Sequence, residues 1–305
     1  MSAPRAECVE LRAQAKVNLR LEVLARETSG FHQLETLFLR LELADRVRVR
    51  RTSSSRSLDV SGVDRAGTGP VERNLAWRAA TLYADEVGLT GGFSIELEKR
   101  IPTGGGLGGG SADAGAVLRA LDALSARPLG TMQLTSLAIS LGADVPFLTS
   151  EHACALAWGR GERMLVLRAP EARDVLLLVP SFAIGTADAY EWLAGAVEDD
   201  DHRRVRSALF DAERDLDWPR IAARATNAFE PVVRARHPEI GELVEALGAL
   251  GCGPAMMSGS GSVVFGVLPA DGDRAALSPD ELAGLPARVI RTRTAARVEP
   301  VSPIE

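Results

Sequence analysis

The sequence predicts an α+β protein of two domains. Three observations carry this. The N-terminal third alternates apolar and polar residues at strand period, helical and strand patterns take turns through the middle, and 305 residues are about twice the usual domain length. Val17, Leu19, Leu21 and Val23 share one face of a strand over 9–24, and Glu27-Thr28-Ser29-Gly30 reads as a turn. Leu37, Leu39, Leu41, Leu43, Val47 and Val49 repeat the two-residue period, so the two segments pair antiparallel. Residues 52–73 read as loop with one short strand.

Asn74 caps a helix to about Val87, which Gly88 ends. Phe93, Ile95 and Leu97 mark a strand. A loop from Thr103 to Gly110 leads into a helix from about Ser111 to Ser125, and another helix runs from Met132 to Leu141 and stops at Gly142. Strand patterns follow at 153–168 and 174–180. Helical character extends from Thr186 to Leu250 with breaks near Asp199–Asp201, Pro219 and Pro238. Strands at 255–258 and 262–268, a short helix near 279–284 and a strand near 287–293 complete the pattern. The division falls near residue 160, giving domains 1–160 and 161–305.

A net charge of -6 and a pI of about 5.5 argue against a nucleic-acid partner, which demands a basic face. Cys8, Cys154 and Cys252 lie far apart and, like the four histidines, lack metal-ligand spacing, which excludes a zinc site and suits a reduced, cytoplasmic protein. No apolar run is long enough for a membrane span, and no signal peptide precedes the first strand. Only two of the 35 basic residues are lysine, Lys16 and Lys99. An ammonium is a compact point charge that a planar guanidinium cannot replace in a tight space, which marks both as site candidates.

The strongest signal is Pro102-Thr103-Gly104-Gly105-Gly106-Leu107-Gly108-Gly109-Gly110-Ser111. Six glycines in seven residues fit neither helix nor strand but permit positive φ and close approach of backbone to a ligand. The helix that follows offers free N–H groups and the positive end of its dipole, which suits a polyphosphate. Gly104, Gly106 and Gly109 satisfy G-x-G-x-x-G, but the following helix leads into a second helix rather than a strand, unlike a dinucleotide fold. No lysine follows as in a Walker loop. Asp144, between Gly142 and Pro146, has the fixed direction a general base needs, and Lys16 facing it would keep it ionised. Taken alone, Asp144 is equally an ordinary turn residue, Lys16 a strand-end lysine and His32 an exposed histidine beside Phe31.

Together, Ala15-Lys16-Val17-Asn18-Leu19, Gly30-Phe31-His32, the glycine run, Gly142–Phe147 and Met257-Ser258-Gly259-Ser260-Gly261 resemble the GHMP kinases in type and order. They look most like the members acting on a cytidine diphosphate-linked methylerythritol. The resemblance implies a ribosomal protein S5-like N-terminal domain and a ferredoxin-like C-terminal domain. It also implies ATP- and Mg2+-dependent phosphorylation of the 2-hydroxyl of that small molecule, on the non-mevalonate route to isoprenoid precursors. By the same resemblance Lys16 and Asp144 are the catalytic pair. Pro102, Gly104, Gly105, Gly106, Leu107, Gly108, Gly109, Gly110 and Ser111 wrap the ATP phosphates, and Asn74 and Lys99 approach adenosine. Asn18, His32 and Asp144 face the substrate, Phe31 and Tyr190 sandwich its base, and Ser258, Gly259, Ser260 and Gly261 close the site. The pattern departs from the family at Phe31, usually Tyr, at Ala112, usually Ser, and at Asn227-Ala228, usually Asn-Asp. A homoserine- or mevalonate-type kinase and a non-catalytic ligand sensor are the alternatives.

Overall fold

The computed structural model describes residues 7–26, 32–63, 69–196, 216–270, 284 and 286–304. Its frame is a long antiparallel pair, β1 (Cys8–Arg26) and β2 (His32–Thr52). Register shifts at Gln14/Lys16, Asn18/Arg20 and Val23/Ala25 bend the pair, and the bends let the two halves of β2 take different neighbours. Arg46–Thr52 pairs with β4 (Gly92–Lys99), whereas Leu34–Leu39 pairs with β5 (Cys154–Gly159), which turns back into β6 (Arg163–Leu167). β3 (Arg56–Gly62) lies parallel to β4, and the connection crosses through α1 (Leu75–Glu86), as a parallel pair requires. A second, antiparallel sheet has the order β11 (Ala287–Arg293), β7 (Asp174–Pro180), β10 (Val264–Val267), β9 (Ala255–Met257).

Both faces of β7 and β10 are covered, and their centres are apolar without alternation for that reason, whereas the edge strand β11 alternates with arginine. Val175 and Leu177 of β7 join the large core of the first sheet. The intervening Leu176 and Leu178 pack in a separate core with residues of α5 (Thr186–Ala196), α7 (Glu230–Arg234) and α8 (Pro238–Ala249). The first core surrounds α2 (Gly109–Leu124), which is buried from Ala112 to Leu121. Its small residues permit this. A Cβ on Gly115 would lie 2.6 Å from the carbonyl oxygen of Leu148, in the short helix α4 (Val145–Thr149).

The strand expected over 153–168 is two strands, β5 and β6, separated by a turn with left-handed Gly159 and Gly161. α2 starts at Gly109 rather than Ser111, because left-handed Gly108 already serves as its N-cap. α3 (Thr131–Leu141) stops at Gly142 as expected. The helical pattern breaks near Pro219 and Pro238 as expected, each proline falling at the start of a new helix. They sit in the first turns of α6 (Trp218–Arg224) and α8, where the missing N–H costs nothing. Four elements were not expected: a single 3-10 turn at Val71–Arg73, α4, hidden by Pro146 in its first turn, β8 (Thr226–Asn227), parallel to Arg20–Leu21, and β12 (Ser302–Ile304), paired with Cys8–Glu10. The break at Asp199–Asp201 and the helix near 279–284 fall outside the described residues apart from Gly284. The three cysteines are unpaired, and among the described residues no helix is long and apolar enough to cross a membrane.

Gly115→Ala tests the tight crossing of α2 and α4. The added methyl meets backbone that cannot rotate away, so a loss of about 1–3 kcal/mol is expected in chemical denaturation. An unchanged midpoint would show that the helices separate freely.

Candidate active site

The two sheets meet at a cavity of about 600 Å³, within the range that holds a small-molecule ligand. One wall carries Lys16, Asn18 and Thr36 from the long hairpin, the glycine loop 102–108 and the first turn of α2. The other carries Ile184, Tyr190 and Gly259–Gly261.

The loop takes its shape from three glycines in the left-handed region, Gly104, Gly106 and Gly108. Gly106 is doubly constrained, since a Cβ there would collide with the carbonyl oxygen of Ser258. The Ser258 hydroxyl donates to the Gly106 carbonyl at 3.0 Å, and Val263 N–H donates to Gly105 O at 3.2 Å. Segments of the second sheet thus support the loop from behind. On the cavity side, Gly109, Gly110 and Ser111 form the first turn of α2, where N–H groups have no partner within the helix and the dipole favours an anion.

Lys16 follows the first bend of β1, and its own N–H donates to Leu107 O at 3.0 Å. Its buried ammonium donates to Asn18 Oδ1 at 2.7 Å and to Gly106 O at 2.8 Å, and lies 3.3 Å from Asp144 Oδ2. Asp144 stands at the N-cap of α4. Its backbone carbonyl accepts the first helical bond, from Leu148 N at 3.1 Å, while its carboxylate is 31% exposed to the cavity. The structure therefore brings together the loop, Lys16, Asn18 and Asp144, although Gly104 and Asp144 lie 88 and 128 positions along the chain from Lys16.

The family models for the GHMP kinases N terminal domain and GHMP kinases C terminal match residues 74–152 and 205–280. The chain is 36% identical over 258 residues to a 4-diphosphocytidyl-2-C-methyl-D-erythritol kinase of Solibacter usitatus, covering 84% of this chain and 80% of the relative. It is 38% identical over 268 residues to one of Desulfotalea psychrophila, covering 85% of each. The chain belongs to the 4-diphosphocytidyl-2-C-methyl-D-erythritol kinases of the GHMP family. A crystal structure of 4-(cytidine 5'-diphospho)-2C-methyl-D-erythritol kinase superposes with a TM-score of 0.70 at 37% identity, covering 94% of this chain and 99% of that one. Homoserine kinase from Cytophaga hutchinsonii gives a TM-score of 0.72 at 17% identity, a likeness of fold alone.

Lys99 of this kinase is the second lysine the composition singled out. It borders the cavity, yet its ammonium is held between two buried carboxylates, Asp45 and Asp113, the latter at 2.6 Å. Asp45 Oδ1 also accepts from Arg100 N at 2.5 Å and Ile101 N at 2.8 Å. Residues 99–101 enter the glycine loop and Asp113 follows it on α2, so this triad ties the two ends of the loop together. Sequence reasoning missed Asp45 and Asp113; for Asp45 the available signal was its place on the apolar phase of β2, between Leu43 and Val47. Burial opposes the charge on Lys99, but Asp113 and Asp45 outweigh it and raise its pKa. Burial raises Asp113 well above the ordinary carboxylate range, with Lys99 opposing and Asp45 adding to the shift.

Asn74 caps α1 by accepting from Ala76 N at 2.9 Å and borders the cavity, as does Pro102. Tyr190 packs edge-on against Phe229; burial, then the charge of Asp144, pushes its phenol up to about 12, so it stays neutral. Ser260 Oγ lies 3.2 Å from Thr186 Oγ1. Asn227, noted only as part of a departure, donates to Met257 O and Gly259 O at 2.8 Å each and holds the Ser258–Gly261 turn. His32 is the first residue of β2, and Phe31 lies outside the described residues.

Lys99→Met would leave two buried carboxylates without a cation, at a cost of about 3–5 kcal/mol that adding Asp113→Asn recovers in part. A raised pKa favours the folded state below the unfolded value and loses that contribution as pH rises through the folded value. Asp113→Asn should therefore gain stability relative to wild type as pH rises from about 4 to 8. Denaturant titrations with a constant gap between the two proteins across that range would contradict this.

Proposed function

We propose that this kinase transfers the γ-phosphoryl group of ATP to the 2-hydroxyl of 4-diphosphocytidyl-2-C-methyl-D-erythritol, in the non-mevalonate route to isoprenoid precursors. The observation that carries the reading is the 3.3 Å approach of Lys16 Nζ to Asp144 Oδ2 at the mouth of the glycine loop. Loop 104–111 holds the phosphates through backbone N–H groups and the start of α2. Asp144 accepts the proton of the alcohol as the new O–P bond forms and the bond to the ADP oxygen breaks. Lys16 holds the carboxylate in direction, and its charge lies beside the phosphoryl group in flight. Such a transfer depends mainly on positioning and charge stabilisation, which fits a site with few reactive side chains.

Magnesium fits the site as an ion carried by the nucleotide, where it neutralises phosphate charge. Among the described residues no three His, Cys, Asp or Glu side chains meet to hold a metal, while Ser111 supplies a hydroxyl oxygen beside the loop, the donor type a hard cation takes. Residues 1–160 make up the bulk of the nucleotide-binding domain, to whose sheet β6, β8 and β12 return, and the rest of 161–305 is the domain that closes it, through Ser258–Gly261. Asn74 lies toward adenosine, and Lys99 acts through the loop it secures. Asn18, Tyr190, His32 and Phe31 receive the substrate, with Phe31 and Tyr190 on either side of the cytosine and His32 hydrogen-bonded to it.

Asp144→Asn should retain ATP binding and lose at least about 100-fold in kcat, the scale of a removed general base. Near-normal turnover would defeat the role assigned to Asp144. ADP release measured with the cytidine diphosphate alcohol beside homoserine and mevalonate should occur with the first alone; faster turnover of either rival would reassign the substrate.

A further inference from the structure

Arg40 is 2% exposed, yet among the described residues no carboxylate forms an ion pair with it. It stands on β2 opposite Lys16 in the strand register. Its Nε donates to His152 O at 3.0 Å, and one terminal nitrogen donates to Phe147 O at 2.8 Å and Ser150 O at 2.9 Å. These carbonyls belong to the last turn of α4 and the residues just after it. The guanidinium lies 5.0 Å from the centre of the Phe147 ring. Phe147 in turn stacks on Phe38, with ring centres 4.8 Å apart and planes 12° from parallel. The ammonium of Lys16 stands 5.7 Å from the centre of the Phe38 ring. Guanidinium, ring, ring and ammonium thus form one column, from the far end of α4 to the lysine of the site.

α4 offers little slack between that column and Asp144. Only Val145 and Pro146 separate Asp144 from Phe147, and Gly115 of α2 presses against Leu148. Burying a guanidinium is costly unless its donors are satisfied, and an apolar residue often serves stability equally well. Here the C-terminal carbonyls of α4 supply both acceptors and the negative end of the helix. Burial, and then the charge of Arg119, brings the Arg40 pKa down to about 9, so the cation persists at neutral pH.

We propose that Arg40 is a positioning residue for the catalytic pair: by gripping the C-terminal end of α4 and stacking on Phe147, it sets where the Asp144 carboxylate meets the Lys16 ammonium. This rests on the reading of Lys16 and Asp144 given above.

The test is a double-mutant cycle of Arg40→Met and Asp144→Asn, with kcat and both KM values measured where circular dichroism shows folded protein. Arg40→Met should lower kcat by about 10- to 100-fold, the effect of displacing a reacting group by roughly an ångström, with KM for ATP changed less than about twofold. In the Asp144→Asn background the same substitution should cost less than about twofold, because the group it positions is already inert. Arg40→Lys, which keeps the charge with fewer directed donors, should recover part of the loss, and it takes the place of Arg40→Met in the cycle should the latter not fold. An unchanged kcat, or an equal loss in both backgrounds, would overturn the role of Arg40 alone. Normal turnover by Asp144→Asn itself would remove the catalytic pair and this proposal with it.

Discussion

The ammonium of Lys16 is buried and must be satisfied on all sides, and the way this is met joins three separate stretches of chain. Asn18 lies two residues along the same strand, Gly106 sits in the glycine loop and Asp144 starts α4. A charge so enclosed costs several kcal/mol if any partner withdraws, so loop, strand and α4 are held in one arrangement. The backbone of Lys16 repeats the link through Leu107 O. The bend in β1 just before Lys16 belongs to the same design, since a strand in regular register would not re-aim the side chain there.

The glycine loop would be floppy on its composition alone. Its rigidity is supplied from outside: Asp45, Lys99 and Asp113 secure its two ends, and Ser258 and Val263 support its middle. Backbone donors fixed in advance need little reorganisation when charge develops beside them. The arrangement also explains the two lysines in a chain that otherwise uses arginine. Each fills a space where a compact ammonium meets several oxygens.

What the sequence made legible was local. The long hairpin followed from alternating Leu and Val, the loop from its glycines and α1 from Asn74 and Gly88, because each signal lies within the element it defines. The approach of Lys16 to Asp144 was legible only through motifs, since geometry between residues 16 and 144 has no local trace. Asp45, Arg40 and Asn227 were not legible as parts of the site. Each looks like an ordinary polar residue until its partners arrive from far along the chain, as Arg40 finds Phe147, Ser150 and His152. α4 was missed because Pro146 signals a turn equally well, and β8 because two residues carry no period.

The contact between Gly106 and Ser258 has a consequence for the order of events during synthesis. The two residues are 152 positions apart, and the later one supplies the backing of the loop. A growing chain that has emerged only as far as α2 possesses every glycine of the cradle but nothing behind them. The loop therefore gains its backing only once the chain has been made as far as Ser258.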